Sequence, residues 1–168
     1  MERGKIIVGY QGIGKSTLAD GNRFIDLESG NFYVDGSRSD NWYKIYANIA
    51  AHLAGQGFVV FVSSHKVLRE YMNEKGIPFK VVCPSPELKD KWLERLRERY
   101  EETKLDKDYR ALANAEEKYD ENIADLMGEK DVFLIKDMDY KLMHIALYNC
   151  ANIRRDVFGF LDDLVLSV

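Results

Sequence analysis

The chain has 168 residues, which fits one compact domain (residues 1–168) with room for an inserted segment. Its 24 lysines and arginines against 28 aspartates and glutamates give a formal charge of −4, which argues against a general nucleic-acid binder, while 46% hydrophobic and 12% aromatic residues exclude wholesale disorder. Two cysteines, Cys83 and Cys150, are too few for a disulfide-stapled secreted scaffold, and no apolar run approaches the roughly 20 residues that span a bilayer.

The first apolar run, residues 5–9, reads as a strand. Met1-Glu2-Arg3-Gly4 before it carries no signal-peptide core, so a cytoplasmic location with no membrane partner is expected. A second strand is expected at residues 24–27. A helix follows over 42–56, with Asp40 or Asn41 as cap and Tyr43, Tyr46, Ala47, Ala50 and Leu53 along one stripe. Residues 58–63 are a continuous β-branched and aromatic run that suits a strand buried on both faces. A shorter helix is expected over 66–75, stopped by Gly76 and Pro78, and a fourth strand over 79–83.

Residues 87–128 differ from the rest. They are highly charged, lack a strand pattern and contain no proline or glycine before Gly128. Leu88, Trp92, Leu96 and Tyr100 repeat at helical spacing; after a break near 103–106, Tyr109, Leu112, Glu116, Tyr119, Ile123 and Met127 continue it. The segment reads as a helical hairpin projecting from the sheet; the plain alternative is one long helix packed flat on the core. A fifth strand at 132–135 and closing helices within 140–150 and 155–165 complete the chain. Strands alternating with helices call for right-handed crossovers and an α/β fold, a parallel sheet between helical layers.

Gly9-Tyr10-Gln11-Gly12-Ile13-Gly14-Lys15-Ser16 matches G-x-x-x-x-G-K-S/T directly after the first strand, and Thr17 extends it. Each fixed residue has a physical reason. The glycines let the backbone curl so that successive amides converge on phosphate oxygens, Lys15 reaches the β- and γ-phosphates, and the Ser16 hydroxyl suits Mg²⁺. A helix beginning here would turn its positive dipole end to the same anion. Residues Gly9, Gln11, Gly12, Ile13, Gly14, Lys15, Ser16 and Thr17 are therefore expected to hold a nucleoside triphosphate, ATP, with Mg²⁺.

On this motif the chain resembles the P-loop kinases of nucleoside, nucleotide (monophosphate) and small-metabolite type. The resemblance follows the order of elements over nearly the whole chain, with the loop as its one sharp motif. It implies the three-layer P-loop NTPase fold, five parallel strands in the order 2-3-1-4-5, and a lid-like insert at 87–128. Val62-Ser63-Ser64-His65-Lys66 with Arg69-Glu70-Tyr71 looks like the end of strand three and the following helix start in gluconate kinases. The whole is also similar to small phage-encoded proteins labelled P-loop or nucleotide kinase.

Asp26 and Glu28 are two apart, so a strand points both the same way. The resemblance gives Asp26 the role of accepting the acceptor hydroxyl's proton or holding Mg²⁺ through water, with Glu28 beside the acceptor; solvated strand-end acids are the alternative. Many P-loop enzymes end strand three in an acidic residue. This chain has Ser63-Ser64-His65, so Asp26 or Glu28 supplies that charge or the site binds without turnover. His65 can hydrogen-bond a substrate or serve structure alone. Lys66 and Arg69, with Arg38 from the loop 30–41, can clamp an anionic acceptor such as a monophosphate, or form a solvated basic face.

Arg95 and Arg99 are four apart and share a helix face, whereas Arg97 points elsewhere. In the kinases resembled, lid arginines fold over the phosphates during transfer. Pairing with Glu94, Glu98, Glu101 and Glu102 is the competing use. Cys83 lies inside a strand and reads as core. The expectation is an ATP- and Mg²⁺-dependent phosphotransferase acting on a small acceptor, a nucleoside, nucleotide or similar metabolite. Its rivals are a nucleotide-binding module without metabolite kinase activity and a kinase acting on nucleic acid.

Overall fold

The computed structural model describes residues 4–148; the helix expected within 155–165 and Cys150 lie outside the described residues. Five strands, β1 (Lys5–Gly9), β2 (Phe24–Asp26), β3 (Val59–Ser63), β4 (Lys80–Pro84) and β5 (Val132–Ile135), pair in parallel throughout in the order β2-β3-β1-β4-β5. The apolar runs become central strands because both faces are covered: Ile6 to Val8 and Val59 to Val62 are all buried. Strand ends differ from the sequence reading by a residue, with β2 stopping at Asp26, β3 starting at Val59 and β4 shifted to Lys80–Pro84.

The helices are α1 (Lys15–Leu18), α2 (Trp42–Gly55), α3 (Lys66–Glu74), α4 (Lys89–Thr103), α5 (Asp106–Met127) and α6 (Leu142–Tyr148). From β1 the chain steps toward the β2 edge, and every later crossover steps the other way. Right-handed connections therefore place α1 on one face and α2 to α5 on the other, and α1 indeed packs with α6 while α2 packs with α3. The exits of β1 and its neighbours diverge. A crevice forms where they part, at the C-terminal end of β1.

Two expectations need correction. Asn41 precedes α2 without a side-chain cap bond; the chain enters the helix through a turn whose carbonyls take over, with Trp42 N donating to Ser39 O (3.1 Å) and Lys44 N to Asn41 O (3.0 Å). The insert is two helices, broken at Lys104, whose left-handed φ of 52° lets its amide close on Tyr100 O at 2.8 Å. Yet the hairpin does not project. Trp92, Leu96, Leu112, Ala115, Tyr119, Ile123 and Leu126 are buried in the common core, and the Tyr119 hydroxyl donates to Ser85 O (3.0 Å).

The buried stripe of α5 also differs. Ala115 faces the core while Glu116 turns out to pair with Arg97 (3.1 Å), and Tyr109 and Met127 are exposed. A small side chain packs there at no charge-burial cost, which Glu116 would incur. A kink at Lys118 (φ −131°, ψ 19°) separates the two halves of the stripe. Among the described residues no helix is long and apolar enough to cross a membrane.

Candidate functional site

The loop between β1 and α1 is shaped by its glycines. Gly12 and Gly14 have φ of 85° and 97°, the left-handed region that side chains disfavour, and a Cβ on Gly12 would stand 2.9 Å from Leu96 Cδ2. Its carbonyls point outward to braces. Trp92 Nε1 donates to Gln11 O (2.9 Å) and the Tyr140 hydroxyl to Ile13 O (2.8 Å), while the Gln11 side chain donates to Ala111 O (2.7 Å) on α5. Among the described residues no acceptor meets the amides from Gly12 to Ser16, so a run of main-chain donors is left for a ligand. The helix that follows is a single turn, Lys15–Leu18, so the dipole expected there is weak and the amides matter more.

Lys15 folds back to donate to Gly9 O at 3.0 Å. Burial pushes its ammonium below the ordinary lysine range, against the pull of Asp26 and Glu28. Burial likewise raises the Asp26 carboxyl above the usual range, opposed by Lys15. A half-buried cation and a half-buried acid thus face one crevice, each pushed toward its neutral form by partial burial and toward its charged form by the other.

Two cavities flank Lys15. One, about 390 Å³, is lined by the loop with Ser16, by Asp26 and Glu28, and by Arg38, Arg99 and Lys107. The other, about 550 Å³, lies between the end of β3, the start of α3 and one face of α5. No protein-family model matches the chain, and no curated protein does.

Arg99 reaches the first cavity, held by Asp108: Arg99 Nε lies 2.8 Å from Asp108 Oδ1, and Thr103 Oγ1 donates to Oδ2 at 2.6 Å. Arg95 sits elsewhere, over the Trp92 ring and donating to the Tyr140 hydroxyl (2.8 Å), so it reaches the loop through the two side chains that brace it. Arg97 pairs with Glu94 and Glu116, away from the crevice. Lys107 bridges to Glu28 (3.3 Å), linking α5 to the end of β2. Thr17 is exposed at the start of α1.

On the other side, His65 Nε2 lies 3.1 Å from Ser29 Oγ and its ring meets Trp42 edge-on. Burial, with Arg38 and Lys15 adding, pulls its pKa down to about 4. Arg38 is stacked between Tyr33 and Trp42 (4.2 Å to each) and donates to Ser29 O and Oγ, with a buried Nε that no described atom accepts. Lys66 and Arg69 line the second cavity, but both engage acids. Arg69, its side chain only 4% exposed, pairs with Asp125 and Glu129, and Lys66 lies 3.7 Å from Asp125.

Sequence reasoning missed Lys107, Asp108 and Arg110, which the first turns of α5 bring to the first cavity. It also read Tyr46 as core alone. Its hydroxyl donates to Leu27 O and accepts from Ser63 N (2.9 Å), pinning the ends of β2 and β3 together, and burial raises its pKa to about 12. Cys83 is buried as expected, its thiol pushed up to about 12 by burial.

Among the described residues no group of three or more His, Cys, Asp or Glu is placed to hold a metal ion. The Ser16 hydroxyl and the Asp26 and Glu28 carboxylates line one cavity. That sparse oxygen set fits Mg²⁺, which keeps several waters and takes most of its ligands from phosphates.

Proposed function

We propose that the protein is an ATP- and Mg²⁺-dependent phosphotransferase with a P-loop NTPase fold, passing the γ-phosphate to a small acceptor. The observation that carries the reading is Lys15, half-buried and lining both cavities, followed by Ser16 at the end of a glycine-bent loop with unpartnered amides. The 2-3-1-4-5 strand order supports it, since it opens a crevice at that loop.

In this reading the loop amides and Lys15 bind the β- and γ-phosphates, and phosphate contact restores the solvation that burial denies Lys15. Ser16, with Asp26 or Glu28 through water, would hold Mg²⁺, which neutralises charge developing on the phosphates. Asp26, made more basic by burial, orients the acceptor hydroxyl and takes its proton. Arg99, kept in place by Asp108, adds positive charge, and Lys107 can leave Glu28 for a phosphate oxygen. The α4–α5 hairpin, packed on the core, serves as a fixed wall of the crevice that limits water at the transfer.

A second reading, nucleotide binding without transfer, draws on Ser63-Ser64-His65, where β3 ends without an acid. Asp26→Asn separates the two. With MgATP and a panel of hydroxyl-bearing acceptors, wild-type protein should release ADP in step with acceptor phosphorylation, and the variant should lose transfer while keeping nucleotide affinity. Nucleotide affinity with no acceptor phosphorylated would favour the second reading.

A further inference from the structure

The larger cavity, about 550 Å³, is of the size that takes a small molecule, roughly 300–1,000 Å³. Sequence reasoning assigned it a positive character through Lys66 and Arg69. The structure shows that much of that charge is already engaged by acids. The Arg69 guanidinium is buried between Asp125 and Glu129 and its Nε donates to Ser64 O (3.3 Å), so it has no free edge for a ligand. Lys66 stands 3.7 Å from Asp125 and is 66% exposed. Arg38 is held by Ser29 and its two aromatic neighbours, and lines the cavity on the other side of Lys15.

The α5 face adds acid and amide. Asn114, Glu121, Asn122 and Asp125 recur at helical spacing and all line the cavity, with Asn122 Nδ2 donating to Asn114 Oδ1 at 3.0 Å. Across from them stand the hydroxyls of Ser29, Ser63 and Ser64. His65 joins them uncharged at neutral pH, since its pKa is drawn down to about 4. Apart from Lys15 and the exposed Lys66, which lies 3.7 Å from Asp125, the lining offers hydroxyl and amide groups able to donate and accept, with the Glu121 carboxylate exposed beside them.

We infer that this cavity receives an uncharged, hydroxyl-rich acceptor, of the nucleoside or polyol class, and discriminates against its phosphorylated or carboxylated counterparts. The inference rests on the phosphotransferase reading and names the acceptor class for it. A phosphate monoester placed there would meet the Glu121 carboxylate, to which no described cation is paired, and like charges brought together at a binding surface are strongly disfavoured. A neutral polyol can hydrogen-bond to that carboxylate and to the hydroxyl and amide groups around it without the repulsion.

The test is calorimetric titration of the full chain, with Mg²⁺ and a non-hydrolysable ATP analogue present, by matched pairs: thymidine and thymidine 5′-monophosphate, adenosine and adenosine 5′-monophosphate, glucitol and gluconate. The neutral member of at least one pair should bind roughly tenfold or more tightly than its charged partner, with no pair reversed. A charged member binding more tightly, or no neutral member binding, overturns the inference. Glu121→Gln, an exposed change on α5, should strengthen binding of the charged members severalfold at low salt; unchanged affinity for them would also overturn it. Neutral binding without phosphoryl transfer from MgATP would defeat the phosphotransferase reading and leave the cavity's preference standing. Efficient phosphorylation of a charged member would do the opposite.

Discussion

Tyr46→Phe tests whether one hydroxyl holds the floor of the crevice. The ring should stay, since its packing on Phe32 (4.7 Å between centroids) and Trp42 (5.9 Å) needs no oxygen. What is lost is the donor to Leu27 O and the acceptor for Ser63 N. Leaving a buried backbone group unpaired costs about 1–3 kcal/mol. Ser63 Oγ lies 3.2 Å from the tyrosine oxygen and can turn to replace part of what is lost. The expected destabilisation is thus about 2–4 kcal/mol, or a fall in Tm of roughly 5–15 °C for a domain of this size. Because Asp26 immediately precedes Leu27, transfer should fall more than stability alone explains, with nucleotide affinity nearly unchanged. Chemical denaturation with paired kinetics checks this. A variant within about 0.5 kcal/mol of wild type, equally active, would refute the pinning argument.

Two further outcomes are expected. His65 has a folded pKa of about 4 against 6.5 ordinarily, so between those values the unfolded chain binds more protons and stability falls as pH drops; melting curves should show His65→Gln losing less stability than wild type between pH 6.5 and 4, and parallel pH profiles would contradict the assignment. Gly12→Ala must hold a left-handed φ of 85° and push Cβ to 2.9 Å from a Leu96 methyl, so denaturant titration should show a loss of about 1–2 kcal/mol together with weaker triphosphate binding, whereas wild-type behaviour in both would mean the loop does not need its glycine.

The sheet was legible because its signals are local and contiguous. The Val59–Val62 run could hardly be anything but a doubly covered strand, and alternation with helices implied parallel pairing. The glycine-bent turn after β1 was legible for the same reason, its motif being eight consecutive residues. Pairings across the chain were not. Arg69 looked available because Asp125 and Glu129 are 56 and 60 residues away, and only the fold brings the end of α5 and the turn after it to this arginine of α3. The stripe of α5 was misread where Ala115 and Glu116 compete for one face, since a helical period alone allows either. Asp108 shows the limit most plainly: in a run of charged residues, nothing in its identity marks the one whose carboxylate is buried at 2% exposure to aim Arg99.

The most direct test is titration of MgATP into wild-type protein and Lys15→Ala by calorimetry. Wild type should bind the triphosphate and the variant should lose at least roughly tenfold in affinity, since a charge-assisted contact at a half-buried lysine is removed. Equal affinity in the two proteins, or no triphosphate binding by wild type, would contradict nucleotide binding at Lys15.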